Sequence, residues 1–223
     1  MSNNINGYFD KEICNGCGKC CIQGGCGYLP SDFEKMSYGF LKSKLEEETI
    51  AIEAIIKPSF VDGEYTWYPL LAMRSRNIDR GIVDLISYRT PCVLLGEKGC
   101  TYEDDERPSL GRYLKPSENG DCKQMLEREK IEQAWIKHQD TLHGLVKYFS
   151  GKSVEENILK DISDLKKQMK AKYPKSFRID FKGNLHYVPS NDQLDDETND
   201  LYSVIELTQN AKLKKRKIKW LTL

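Results

Sequence analysis

No apolar run in this chain approaches the roughly 20 residues that a bilayer-spanning helix requires, so nothing in it reads as a membrane span. Charge of one sign is missing as well. The 34 basic residues balance 34 acidic ones, which removes any global attraction to nucleic acid or an anionic lipid surface. There is no Gly-rich phosphate loop, no Ser, His and Asp set that reads as a nucleophilic triad, and no Cys-x3-Cys-x2-Cys spacing of the radical S-adenosylmethionine enzymes. The opening Met1-Ser2-Asn3-Asn4-Ile5-Asn6 offers neither the positive start nor the apolar run of a secretory signal, and no internal repeat recurs. The expectation is a soluble, cytoplasmic protein with no membrane partner, built as one medium domain or one domain with an appendage.

What the chain does have is sulfur. Cys14, Cys17, Cys20 and Cys21 fall in the single stretch Cys14-Asn15-Gly16-Cys17-Gly18-Lys19-Cys20-Cys21, a concentration that no hydrophobic core requires. A Cys-x2-Cys step folds the chain back so that two sulfurs meet one metal, with backbone N–H groups of the turn aimed at the thiolates. Gly16 and Gly18 suit such a turn, and Asn15-Gly16 is a turn dipeptide. The remaining cysteines are Cys26, Cys92, Cys100 and Cys122, so a site that joins both groups closes a long loop. An even count also suits a disulfide framework, but in a reducing cytosol clustered thiols are metal ligands. Eight thiols could hold two tetrahedral zinc ions. Equally, Cys14-x2-Cys17-x2-Cys20 matches three ligands of a bacterial 4Fe–4S cluster, with the fourth elsewhere. Adjacent side chains diverge, so Cys20 and Cys21 are expected to serve two centres, or one centre and a packing role.

Together with this motif, the downstream block Cys92-Val93-Leu94-Leu95, Gly99-Cys100-Thr101-Tyr102-Glu103, Glu106-Arg107-Pro108, Arg112, Leu114-Lys115-Pro116-Ser117 and Cys122 resembles the CxxCxxCC family of zinc- or iron-chelating cysteine-cluster proteins. The resemblance covers roughly residues 10 to 125. Gly111 stands where that family usually has the cysteine before the arginine, leaving Cys26 or Cys122 to supply the ligand. The chain is also distantly similar, through its cysteines and Arg-Pro block, to flagellin lysine N-methylases. That similarity implies an iron–sulfur cluster used with S-adenosylmethionine on a protein substrate. Four thiolates leave a net negative centre, so Lys19, Arg107 and Arg112 are the candidate cofactor contacts. The other reading of Arg107-Pro108 is a plain helix start, Pro108 to Tyr113, and Tyr102 reads as core.

The expected fold is α+β: a small cysteine-rich, metal-centred domain with a few short strands over residues 1–122, and residues 123–223 as an α-helical extension, a hairpin and a basic tail, packed as one unit with the first. Ser31 and Glu34 read as a capping box opening a helix that runs to about Lys44, with Phe33, Met36, Phe40 and Leu41 inside. A second helix is expected to carry Thr49, Ile50, Ile52 and Ile55 up to Pro58. Gly63 to Met73 reads as a strand, with Tyr65 and Trp67 on one face. Ile82 to Tyr88 reads as another, leading into Cys92. Gly96-Glu97-Lys98-Gly99 should turn a hairpin that brings Cys92 and Cys100 together. Ile131, Trp135, Leu142, Leu145 and Val146 recur at helical spacing, as do Ile158, Ile162, Leu165 and Met169 after a capping box at Ser153 and Glu156. His138 and His143 miss the i, i+4 spacing of paired helical ligands. Phe177 to Phe181, Lys182-Gly183-Asn184 and Leu185 to Val188 read as a hairpin.

The first functional expectation is a cysteine-cluster metal-binding protein holding an iron–sulfur cluster or zinc. The second is an iron–sulfur-dependent protein lysine methyltransferase. The third is a zinc-stabilised interaction module that uses the basic run Lys212 to Trp220, although the acidic stretch Asp192 to Asp200 offsets that charge and weighs against nucleic acid.

Overall fold

The protein is described here from a computed structural model, in which residues 14, 18–22, 24–61, 64–86, 90–97, 99–103, 106–115, 122–172, 177–179 and 185–187 are described. Outside them lie Cys17, the Pro116-Ser117 step, the turn at Lys182 to Asn184, Phe181, Val188, the acidic stretch from Asp192 and the basic run from Lys212. The side chains of Lys19, Cys20, Tyr65, Trp67, Leu165 and Met169 lie outside them too.

Helices and small sheets are both present, an α+β mixture. In chain order come a single turn α1 (Lys19–Ile22), a 3-10 turn (Pro30–Asp32), α2 (Tyr38–Glu46), and the strands β1 (Ile50–Val61) and β2 (Glu64–Ser75). Then follow β3 (Leu95–Gly96), β4 (Gly99–Cys100), α3 (Ser109–Arg112), β5 (Leu114–Lys115) and β6 (Lys123–Gln124). The helices α4 (Arg128–Ile136), α5 (Gln139–Ser150) and α6 (Val154–Lys172) precede β7 (Phe177–Ile179) and β8 (Leu185–Tyr187). The strands pair as consecutive couples, β1 with β2 through β7 with β8. No described helix is long and apolar enough to cross a membrane.

The chain divides into two compact units. One comprises Met1–Lys57 and Pro69–Asn157, the other Pro58–Tyr68 and Ile158–Leu223. In the second, Ile158 and Ile162 of α6 are buried, and β7 pairs antiparallel with β8 in the register Phe177 to Tyr187 and Ile179 to Leu185, the pairing that the alternation in the sequence on either side of Gly183-Asn184 implies. The first unit holds most of the core. Leu41 and Leu45 of α2, Ile50 to Ile52 of β1, Leu70 to Met73 of β2 and Trp135, Leu142, Leu145 and Val146 of α4 and α5 are all buried.

Three expectations are corrected here. The segment from Ile50 is strand β1, because clustered β-branched side chains fit a pleated surface buried on both faces, and Pro58 is tolerated within it. The helix after Ser31 starts only at Tyr38. Asp32, rather than Ser31, is the polar anchor of that corner: its carboxylate accepts from Leu29 N–H (2.8 Å), Ser109 N–H (2.9 Å) and the Ser109 hydroxyl. Those partners hold the chain in a short 3-10 turn. Finally, the described part of Ile82 to Tyr88 forms no regular strand. Val83 makes one parallel bridge to Ile52, and the chain then bends so that the Asp84 carboxylate reaches Arg74 and Arg80.

The helices close the unit through polar contacts as well as apolar ones. Gln139 serves Leu71 as a neighbouring strand would, accepting its N–H at 2.8 Å and donating to its carbonyl at 2.9 Å. Trp135 donates its indole N–H to the Tyr28 carbonyl at 3.2 Å. Serine 153 and Glu156 cap α6 reciprocally, at 2.7 and 3.2 Å, as their spacing predicts. Gln139→Ala strands two buried backbone groups of Leu71 and should lower stability by about 2–4 kcal/mol. Urea unfolding with an unchanged m-value is the check.

Candidate thiol centre

The cysteine-rich segment is shaped by one backbone feature. Gly18 N–H donates to the Cys14 carbonyl at 2.8 Å and Gly18 adopts φ +59, and α1 begins directly after it, with Ile22 N–H closing onto the Gly18 carbonyl at 3.0 Å. Without a Cβ this left-handed geometry is cheap. α1 then delivers Cys20 and Cys21, and Cys21 is buried.

The C-terminal end of β2 brings distant cysteines together. Gly27 bridges Arg74, Tyr28 N–H donates to the Met73 carbonyl (2.8 Å) and Ser75 N–H to the Cys26 carbonyl (2.9 Å). The segment after the motif is thus stitched along Met73 to Ser75. The residues that follow pair with the second cysteine block: Asn77 bridges Cys92, Ile78 N–H donates to the Pro91 carbonyl (2.7 Å) and Val93 N–H to the Arg76 carbonyl (3.0 Å). Cys92 N–H in turn donates to the Cys21 carbonyl at 2.7 Å. The Gly96 to Gly99 turn forms the expected hairpin, with Leu95 opposite Cys100. Cys21, Cys92 and Leu94 make one buried cluster, and Cys100 and Tyr102 pack against it.

Cys92 is the most buried of these sulfurs, 2% exposed. Burial pushes its thiol above the ordinary value, opposed by the Leu94 N–H, the Ser75 side chain and, more distantly, Arg74. The Leu94 N–H lies 3.4 Å from Cys92 Sγ, an amide aimed at sulfur of the kind that supports thiolate ligands. Gly25, at φ +72, runs past this point: a Cβ there would sit 2.9 Å from Cys92 Sγ and 3.1 Å from Ser75 Cβ. Gly111 faces the other cysteine of this segment, its missing Cβ lying 3.0 Å from Cys26 Sγ. The sulfur of Cys26 therefore fills the space beside Gly111. Cys122 directly precedes β6 and is partly exposed.

Of the candidate cationic contacts, Arg112 is engaged by Asp32 at 2.8 Å and by the Ser109 hydroxyl at 3.0 Å, and Arg107 is buried beside α3. The short helix that begins after Pro108 is present as expected. His138 packs edge-on against Trp135 at 6.4 Å, and burial pushes its pKa down.

Sequence reasoning missed Arg74, Ser75 and Tyr28. Arg74 is buried at the end of β2, where it donates to Asn77 Oδ1 (2.8 Å), the Ser75 carbonyl (2.7 Å) and Asp84, while Glu53 stands 3.3 Å from its Nε. Arg80 also donates to Asp84, at 2.9 Å. Burial pushes the Glu53 carboxyl up, and Arg74 draws it back. The one available signal was an Arg-Ser-Arg run closing the apolar stretch Leu70 to Met73.

Among the described residues, no three His, Cys, Asp or Glu side chains stand together as a ligand group for a metal ion. What they provide is two buried sulfurs, Cys21 and Cys92, with Cys100 packed against them and the Leu94 amide directed at Cys92 Sγ. That donor chemistry suits a borderline or soft metal. Of the other cysteines of the motif, Cys17 lies outside the described residues and Cys20 is described in its backbone alone.

No protein family, curated protein or solved structure matches the chain.

Gly25→Ala forces a Cβ into a left-handed backbone position and against Cys92 Sγ. A loss of about 1–3 kcal/mol is expected, measured by thermal or urea unfolding. Asp84→Asn removes the carboxylate shared by Arg74 and Arg80 and should cost about 3–5 kcal/mol, the range for breaking a buried ion pair.

Proposed function

We propose that this chain is a cysteine-cluster metal-binding protein. Its zinc ion or iron–sulfur cluster is held by thiolates from the Cys14 to Cys21 segment together with Cys92 and Cys100. The observation that carries this reading is the junction of the two cysteine blocks, in which Cys92 N–H bonds the Cys21 carbonyl and Cys100 packs on the same cluster. Buried apolar sulfurs alone would not need an amide directed at Cys92 Sγ or a hairpin that returns Cys100 to the cluster. Cys26, filling the space at Gly111, is the next sulfur in line for a ligand.

When bound, zinc closed by four thiolates supplies a structural cross-link, and an iron–sulfur cluster supplies one-electron chemistry. The chain's own residues have separable tasks. Gly18 sets the turn of the motif, Gly25 leaves room for Cys92, and Leu94 directs its N–H at the Cys92 sulfur. Arg74, held by Asn77 and Asp84, adds positive charge behind the site.

Anaerobic purification with elemental analysis and a visible absorption spectrum is the test. Stoichiometric zinc in colourless protein, or iron with labile sulfide in brown protein, is expected. Cys92→Ser and Cys100→Ser should each weaken metal binding at least roughly 10-fold. Metal-free wild-type protein, or both variants with full metal and an unchanged melting temperature, overturns the proposal.

A further inference from the structure

Cys21 and Cys92 lie far apart in the chain, yet one backbone bond joins them directly: Cys92 N–H donates to the Cys21 carbonyl at 2.7 Å. The covalent geometry on either side of that bond limits their Cα separation to about 6.6 Å at most. A disulfide bridges Cα atoms roughly 4.4–6.8 Å apart without backbone movement. Both side chains are buried, 9% and 2% exposed, and both enter one small cluster with Leu94. The Gly25 backbone passes so close to Cys92 that a Cβ there would stand 2.9 Å from its Sγ, which confines that sulfur. The structure shows both residues as thiols.

We infer that Cys21 and Cys92 form a reversible disulfide when the protein meets a hydroperoxide, a covalent cross-link between the two cysteine blocks. Cys21, the more open of the two, reacts first. Its Sγ takes the terminal hydroxyl oxygen of the hydroperoxide as the O–O bond breaks, giving a sulfenic acid and an alcohol, or water where the oxidant is hydrogen peroxide. Cys92 Sγ then attacks that sulfur, the S–O bond breaks, and hydroxide leaves with the Cys92 proton as water. The hydroperoxide gains the two electrons that the two thiols lose. Leu94 N–H, 3.4 Å from Cys92 Sγ, supports the negative charge this sulfur carries as its proton departs. Cys100 packs on the same cluster but lies opposite Leu95 in its hairpin, whereas Cys21 is bonded directly to Cys92. The pairing uses no metal and stands apart from the proposed metal centre, although a sulfur held in a disulfide no longer serves as a thiolate ligand.

The experiment titrates hydrogen peroxide into the full chain, alkylates the remaining thiols in urea and maps the tryptic peptides by mass spectrometry. The expected product links the peptide Cys20 to Lys35 with the peptide Thr90 to Lys98, weighs two hydrogens less than their sum and is cleaved by dithiothreitol. It should persist in Cys20→Ser and Cys26→Ser, whose positions share the first peptide, and disappear from Cys21→Ser and Cys92→Ser. Should Cys92→Ser fail to fold, the wild-type map and Cys21→Ser decide. Because the closed loop is long, oxidised wild-type protein should melt roughly 5–10 °C above the reduced form, and dithiothreitol should return it. Linkage through Cys20, Cys26 or Cys100 instead, an oxygenated Cys21 with no cross-link, unreacted thiols, or a melting temperature that does not rise each overturns the inference. The metal-binding reading is decided separately, by elemental analysis of the untreated protein.

Discussion

A buried guanidinium governs the first unit. Arg74, with its side chain 5% exposed, could not be left in this setting with unmatched donors, because an ion removed from water costs several kcal/mol unless partners repay it. Its partners are spread along the chain: Glu53 on β1, Ser75 and Asn77 at the end of β2, Asp84 on the following bend, and, at 3.5 Å, the Gly24 carbonyl beside the cysteine-rich segment. Satisfying this one group fixes where those segments run. Asn77 is held by Arg74 and also bridges Cys92, so the same constraint reaches the thiol cluster.

Around that point the backbone acts as a clamp between two cysteine blocks. Met73 to Ser75 takes the Cys26 to Tyr28 segment on one edge, and Arg76 to Ile78 takes Pro91 to Val93. The helices secure the clamp from behind: Gln139 fixes Leu71, Trp135 fixes Tyr28, and Asp32 ties the 3-10 turn to Ser109 and Arg112. Arg112 is consequently occupied with structure, and Arg74 is a positive charge that acts on the Cys92 thiol. Two glycines complete the arrangement by absence of volume. Gly25 admits Cys92, and Gly111 admits Cys26.

The polar groups around Cys92 follow from the same clamp. Stitching Tyr28 beside Met73 and Cys92 beside Asn77 brings a phenol, the Ser75 hydroxyl and a thiol into one buried space. Burial and the neighbouring Tyr102 push the Tyr28 phenol well above its ordinary range, so it stays a hydrogen-bond donor at neutral pH.

By itself, the sequence determined the features whose causes lie within a few residues. The Gly96 to Gly99 turn, the short helix after Pro108, the reciprocal cap of Ser153 and Glu156, the helical stripe of Trp135, Leu142 and Val146 and the pairing of Phe177 to Ile179 with Leu185 to Tyr187 are all local in origin. The thiol-rich segment was legible for the same reason. Tertiary structure decided the rest. Ile50, Ile52 and Ile55 satisfy a helical or an extended pattern equally, and only pairing with β2 selects the strand. Ser31 and Glu34 spell a helix start, but Asp32 is claimed by Ser109 and Arg112 from far along the chain. Alternation from Ile82 suggests a strand, and the demand of Arg74 for Asp84 bends it. The surroundings of Cys92 were likewise out of reach of spacing, because Ser75 and the charge of Arg74 come to bear on its sulfur only after β2 has aligned both cysteine blocks.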